Sequence, residues 1–183
     1  MKEVNREFFT QDAVKIAKEL LGKVISYNGI QGMIVETEAY KKDPASHAFK
    51  ITPRSKIMLN SYGKFYIYFI YGMYHCLNIT TNKNDVGAVL IRSLQPLKGI
   101  DKMKKLRKSN DIHNLTSGPG KLCQAMKIAK ALNSTDVNER IKVLHYKSFK
   151  PSQITSSPRI GISEGKELNW RFFIRGNKFV SRP

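Results

Sequence analysis

A chain of 183 residues, 41% apolar and 10% aromatic, can bury the core of one domain and does not have the composition of a disordered tail. No apolar run approaches the roughly 20 residues of a bilayer-spanning helix, and Met1-Lys2-Glu3-Val4-Asn5 lacks the charged-then-apolar order of a secretory signal. Thirty-two Lys and Arg oppose 14 Asp and Glu; the formal charge of +18 attracts polyanions, nucleic acid foremost, unless it only reflects a lysine-rich composition.

The first predicted element is a helix. Thr10 can cap it, Asp12 suits its positive first turn, Ala13, Ile16, Leu20 and Leu21 share one face, and Gly22 suits a left-handed stop. From Lys23 to Leu94 the apolar period becomes that of strands, at 23–28, 32–40, 64–71, 74–81 and 86–94. Asn28-Gly29, Ser61-Tyr62-Gly63, Gly72 and Asn82-Lys83-Asn84-Asp85 separate them, and such short connections favour antiparallel neighbours. Residues 101–108 form a basic segment that reads as a solvated helix. Ser117-Gly118-Pro119-Gly120-Lys121 opens a further helix, with Leu122, Ala125, Met126, Ala129 and Leu132 at helical spacing and Asn133 as its stop. Residues 147–158 read as a loop. Residues 159–163 and 169–180 read as strands, the latter turning around Arg175-Gly176-Asn177. With no internal repeat or long linker, one domain over 1–183 is expected.

Two stretches attract chemical interest. On a regular strand Ile34, Glu36, Glu38 and Tyr40 share a face, and either carboxylate is a candidate general base; a half-exposed strand with an acidic outer face is the commoner arrangement. Lys64 to Tyr74 holds more aromatics than one core face needs, with Gly72 placing Tyr71 at a hairpin tip. Such a residue can enter a base stack, and aromatic walls can hold an extruded base; a buried aromatic hairpin fits the residue types equally well.

Other classes are set aside. His47, His75, His113 and His145 have no zinc-type spacing, and no Pro-Cys-x-x-Cys deaminase signature occurs, so no metal is expected. Cys76 and Cys123 sit in apolar stretches without CxxC spacing and read as reduced, buried thiols. Gly118 to Lys121 lacks the full P-loop spacing. The amides of Gly120 and Lys121 are still a possible DNA-phosphate contact at a helix N-terminus, beside the plainer reading of an ordinary helix start.

Val35-Glu36-Thr37-Glu38-Ala39-Tyr40, Ala45-Ser46-His47, Thr52-Pro53-Arg54, the run from Tyr66 to Tyr74 through Asn78, Ala88 to Arg92, Ser117 to Cys123, Arg159 to Ile162 and Trp170 to Gly176 occur in order. Together they resemble the alkyladenine (3-methyladenine) DNA glycosylase family of the mammalian methylpurine type across nearly the whole chain. The resemblance implies a mixed α/β (α+β) single domain with a curved antiparallel sheet, a protruding hairpin and surrounding helices. It assigns Glu38 to activating the attacking water and Tyr71 to DNA intercalation. Tyr40, His47 and Tyr68 would wall the base pocket, Asn78 would discriminate among bases, and Arg92 would hold the site and the nucleotide phosphate. Ser55, Leu59 and the short spacer from Tyr40 to His47 depart from the family pattern and bear on damage preference.

The implied reaction is monofunctional, cofactor-free hydrolysis of a damaged purine's N-glycosidic bond in double-stranded DNA, by a monomer. Candidate lesions are 3-methyladenine, 7-methylguanine, hypoxanthine and ethenoadenine. The expected location is cytoplasmic and nucleoid-associated in a prokaryote, nuclear in a eukaryote, with no membrane partner. Two other readings stay open: a non-catalytic basic nucleic-acid-binding module and a nucleoside hydrolase. The residues alone do not choose between Glu36 and Glu38.

Overall fold

Alternation in the central strands separates the chain's tyrosines from its aliphatic residues, and that separation gives the sheet two chemically different faces. The computed structural model describes residues 1–182. Its strands are β1 (Val24–Tyr27), β2 (Ile30–Tyr40), β3 (Phe65–Ile70), β4 (Tyr74–Thr80), β5 (Ala88–Lys98), β6 (Lys142–Leu144), β7 (Ile154–Ser157) and β8 (Arg171–Ile174). Its helices are α1 (Ala13–Glu19), α2 (Ile100–Arg107) and α3 (Pro119–Met126). The strands form one curved antiparallel sheet in the order β3-β4-β5-β2-β1-β6, and β8, carrying β7, also pairs with β2. The fold is the mixed α/β single domain that the motifs imply.

Cross-strand register carries each face through the sheet. Phe65 opposes Ile79, Ile67 opposes Leu77, Ile79 opposes Val89, and Thr37 opposes both Ile91 and Phe172. All of these but Thr37 are apolar and join the core, covered by α1 and α3. The residues between them, Tyr66, Tyr68, Cys76, Asn78, Leu90 and Tyr40, face the other way. A second, smaller apolar cluster of Ala48, Met58, Tyr66, Val86 and Ala88 lets the irregular segment after β2 cover part of that face.

Several boundaries differ from the periodicity. The first helix is capped by Asp12, whose side chain accepts from the Val14 amide, and a separate 3-10 turn occupies Arg6–Thr10. The basic helix α2 is not solvated all round, since Met103 is buried from it. The helix after Ser117 ends early, at Lys127 in a left-handed conformation (φ 58°), and the apolar spacing resumes in a 3-10 turn at Lys130–Leu132. β5 runs on to Lys98, and the three-residue β6 carries too little pattern to be visible in sequence.

The C-terminal third departs furthest. Residues 147–158 contain β7, which exists because β8 supplies its ladder. Residues 159–163 are not a strand: the Ile160 amide donates to a side chain instead of a ladder. Only Arg171–Ile174 of 169–180 is extended in a sheet.

The two-faced sheet makes a direct comparison possible along β3. Phe65 is fully buried, whereas Phe69, on the same face, is 46% exposed. Phe65→Ala is expected to cost about 3–5 kcal/mol in urea denaturation, and Phe69→Ala under about 1 kcal/mol.

Candidate active site

A cavity of about 560 Å³ opens on the tyrosine face of the sheet, within the roughly 300–1,000 Å³ of small-ligand sites. Tyr40, Tyr68, Cys76, Asn78, Leu90 and Arg92 rise into it from β2, β3, β4 and β5, and His47 closes it from the segment after β2. The sequence-predicted residues Tyr40, His47, Tyr68, Tyr71, Asn78, Arg92, Gly120 and Lys121 thus all line one cavity.

Glu38 does not line it. Its side chain is fully buried behind the wall, and the three groups that hold it are wall residues. Glu38 Oε1 accepts from the Ile160 amide (2.7 Å) and pairs with Arg92 Nη1 (3.3 Å); Oε2 accepts from the Tyr40 hydroxyl (2.9 Å). Burial first, then the Glu38 charge, hold the Tyr40 phenol well above its ordinary range, so it stays a donor.

Glu36 sits deeper in a different network. Its Oε1 accepts from Arg171 Nε (2.7 Å), Ser181 Oγ (2.9 Å) and Arg92 Nε (3.1 Å), and its Oε2 from the Ser181 amide (2.7 Å). Burial opposes ionisation of Glu36, but Arg92, the Ser181 amide and Arg171 outweigh it and hold the carboxyl below its ordinary value. Arg92 therefore bridges both carboxylates, which more than offset the cost of burying its charge.

Backbone irregularity makes this bridge possible. Along the β2–β5 ladder, Ile34 opposes Leu94, Glu36 opposes Ser93 and Thr37 opposes Ile91, so Val35 and Arg92 each drop out of the pairing. Such bulges re-aim side chains. Ile34 and Val35 both join the core, while Glu36, Glu38 and Tyr40 keep the other face. The expected four-residue face holds for three of its members, and the half-exposed acidic strand is excluded because both carboxylates are fully buried.

The walls are aromatic and polar by turns. His47 Nδ1 lies 2.9 Å from the Tyr66 hydroxyl, and its ring meets Tyr68 edge-on at 4.7 Å. Burial, aided by the Arg54 charge, holds the imidazole below 6.5, and burial pushes Tyr66 up to about 12. Both are neutral at physiological pH. Asn78 Nδ2 donates to the Tyr66 carbonyl (3.0 Å), with the Cys76 carbonyl also near (3.5 Å), which fixes the amide orientation. The Cys76 thiol is raised by burial and is no nucleophile. Among the described residues no cluster of His, Cys, Asp or Glu could hold a metal.

Above the cavity, the β3–β4 hairpin turns through Tyr71 and Gly72, both left-handed (φ 53° and 66°), and Tyr71 is 78% exposed. A tyrosine at positive φ is uncommon, and such outliers cluster at functional sites. At the hairpin base a Cβ on Gly120 would stand 2.9 Å from the Tyr74 ring, so glycine is what lets α3 approach. The Gly120 and Lys121 amides, in the first turn of α3, have no acceptor among the described residues, while Lys121 Nζ donates to Asn114 Oδ1.

The family model for methylpurine-DNA glycosylase matches residues 7–178. The chain belongs to the methylpurine-DNA glycosylase family. Proteins with 3-methyladenine DNA glycosylase in their names are similar to it throughout. One from Clostridium novyi is 43% identical, covering 100% of both chains. One from Clostridium perfringens is 44% identical over 98% of each, and one from Prosthecochloris aestuarii 42% over 100% of this chain and 92% of its own. These are DNA-repair hydrolases by family.

Of the groups that hold the two carboxylates, the methylpurine-DNA glycosylase motifs singled out Tyr40 and Arg92 but not the others. Arg171 and Arg159 lay in recognised motifs without a role, and Ser181 falls beyond the matched residues. Arg159 pairs with Asp43 (2.6 and 3.2 Å) and stacks over Tyr40 and Trp170, placing the next amide, Ile160, on Glu38. No short-range spacing signals a contact between Glu36 and Ser181, 145 residues apart. Ser55 is buried, bonded to Thr52, and Leu59 bridges Val86, so both departures from the family pattern shape the covering segment.

Glu36→Gln leaves Arg171 without its carboxylate and Arg92 with Glu38 alone, and is expected to cost about 3–5 kcal/mol. Because the folded carboxyl is held below its ordinary 4.5, its contribution is complete above that pH and fades as pH falls towards the folded-state value. Denaturation between pH 3 and 7 should show a smaller loss of stability with acid in the variant than in the parent.

Proposed function

We propose that this chain flips a damaged purine out of duplex DNA and hydrolyses its N-glycosidic bond with a water activated by Glu38. The observation that supports this most is a carboxylate one residue behind the wall of an aromatic cavity, beneath a hairpin that exposes a tyrosine. Tyr71 enters the stack and fills the space left by the nucleotide, offsetting part of an extrusion cost of a few kcal/mol. The base lies among Tyr40, Tyr68 and His47. Asn78, whose amide is locked by two carbonyls, presents Oδ1 to its edge and disfavours bases that cannot meet it.

Bond cleavage develops positive charge on the sugar. A carboxylate has about four acceptor positions, and the three donors on Glu38 leave one for the attacking water. Glu38 takes the water proton and its charge stabilises the oxocarbenium-like transition state. An N-alkylated purine such as 3-methyladenine or 7-methylguanine carries its own positive charge, which favours stacking on tyrosine faces and makes it a good leaving group. Neutral hypoxanthine and ethenoadenine need a hydrogen bond to the base, which His47 supplies through Nε2, its Nδ1 being engaged by Tyr66.

Arg92 holds Glu38 in position, and its Nη2, only distantly bonded to Ser181 (3.5 Å), is the group left for the nucleotide phosphate. The free Gly120 and Lys121 amides are a second phosphate contact. The reaction is monofunctional and needs no cofactor, because water rather than a lysine attacks. The chain works as a monomer and a single glycosylase domain.

Duplexes carrying hypoxanthine or 3-methyladenine are incubated under single-turnover conditions and free base is quantified. Glu38→Gln should bind lesion DNA normally and lose base release by about 10²-fold or more; excision at the parent rate removes Glu38 as the base. Tyr71→Ala should lose about 1–3 kcal/mol of lesion affinity, and unchanged capture would count against a wedge. Borohydride should trap no covalent adduct; a trapped lysine adduct would contradict attack by water.

A further inference from the structure

On the face of β2 turned away from Glu38, the sheet forks. β5 follows one edge of β2, and the other edge is shared by β1 at Ile30–Met33 and β8 at Glu36–Glu38. At this fork is a groove of about 850 Å³ that shares no residue with the tyrosine cavity. One wall is α1, fixed to β2 by Thr37 Oγ1 donating to the Ala17 carbonyl (2.8 Å). The other is the segment from His145 to Ser156, tied to Gly22 through the Lys147 amide (3.0 Å).

A largely buried lysine lines this groove. Lys23 is 8% exposed, and its Nζ has no hydrogen-bond or ion-pair partner among the described residues. Burial holds its ammonium below the ordinary range, with Glu19 drawing it back. A partly desolvated charge without a partner is unfavourable, and an anionic ligand in the groove relieves it. Lys15, Lys18 and His145 line the same groove. Of its two carboxylates, Asp12 is engaged by Lys41 at 2.6 Å and Glu19 faces Lys15 at 4.0 Å.

The remaining lining is apolar. Phe8, Val14, Phe149 and Ile154 are half-buried, and Lys18 Nζ stands 5.0 Å from the centroid of the Phe172 ring. β7, which carries Ile154, pairs with β8 alone and keeps its outer edge free. A free edge beside cations and apolar side chains suits an extended peptide. A nucleic-acid backbone satisfies only the cations, and DNA engaged at the hairpin approaches the opposite face.

We propose that this groove docks an acidic, extended peptide segment of a partner protein, its carboxylates on Lys15, Lys18 and Lys23 and an aromatic or aliphatic side chain among Phe8, Phe149 and Ile154. The proposal is independent of the glycosylase reading, because the site lies on the other face of the sheet.

The full chain is panned against a phage-displayed random decapeptide library, and the strongest binder is synthesised with a dye for fluorescence polarisation. Enriched sequences should combine Asp or Glu with Phe, Trp or Leu. Lys23→Met, and separately the exposed double variant Lys15→Glu/Lys18→Glu, should each weaken the peptide by about tenfold or more. Both should leave excision of hypoxanthine unchanged, and an undamaged duplex should not displace the peptide. The proposal is overturned by lack of enrichment, by affinity indifferent to both variants, by displacement by the duplex, or by a ten-nucleotide thymidine oligomer binding with the same lysine dependence.

Discussion

One guanidinium shared between two buried carboxylates organises this molecule. Arg92 pairs with Glu36 and Glu38, and it reaches both because it drops out of the β5 ladder opposite a strand that has itself skipped Val35. Buried ion pairs are poor sources of stability, since desolvation consumes most of the Coulombic gain. What such a network supplies is geometry. Arg171 and Ser181 saturate Glu36, so Arg92 cannot swing away without leaving a buried charge exposed to an apolar medium. Glu38 is thereby held in one place by a partner that is itself held.

The two carboxylates are consequently unlike despite being neighbours on one strand. Glu36 has four donors, two of them from Ser181 at the far end of the described chain, and is sealed beneath Arg92. Glu38 has three, each contributed by a residue of the cavity wall. A ligand that presses on Tyr40 or Ile160 therefore acts on Glu38 and not on Glu36, and Arg92 is the one wall residue shared by the two. This asymmetry favours Glu38 as the proposed base on physical grounds that the sequence could not offer. The chain carries +18 overall, whereas behind the cavity wall two carboxylates are paired with Arg92 and Arg171.

The alternation of tyrosine with aliphatic residues in β3 was readable because strand periodicity reports directly on facing, and both faces of that strand have a use. The exposed Tyr71 followed from Gly72 for the same local reason. Local pattern stops where chain segments are held by side chains. The segment between Tyr40 and Phe65 is ordered by Asp43 on Arg159 and by Ser55 on Thr52, contacts without a period. The stretch from Arg159 gives up strand pairing because its Ile160 amide serves Glu38. β7, rich in serine and flanked by proline, is a strand only because β8 lies beside it. The bulges were illegible too, since Val35 and Arg92 sit in runs that alternate acceptably without them.

The cavity is closed below and open above, and that polarity fits a site approached by a large polymer. Below, Glu38 is held by the Ile160 amide, the Tyr40 hydroxyl and Arg92. Above, Tyr71 holds a left-handed backbone with little to pack on, Met73 is exposed beside it, and the α3 amides of Gly120 and Lys121 have no acceptor. Exposed aromatic surface is unfavourable in isolation, and the first-turn amides of a helix attract anions. Found together on one rim, they describe a surface completed by something that supplies both a stacking face and anionic oxygens. A small nucleoside inside the cavity would leave the rim as it is; a duplex offers both a stacking face and phosphate oxygens at once. The rim therefore favours a polymeric substrate over a free nucleoside, which net charge alone could not decide.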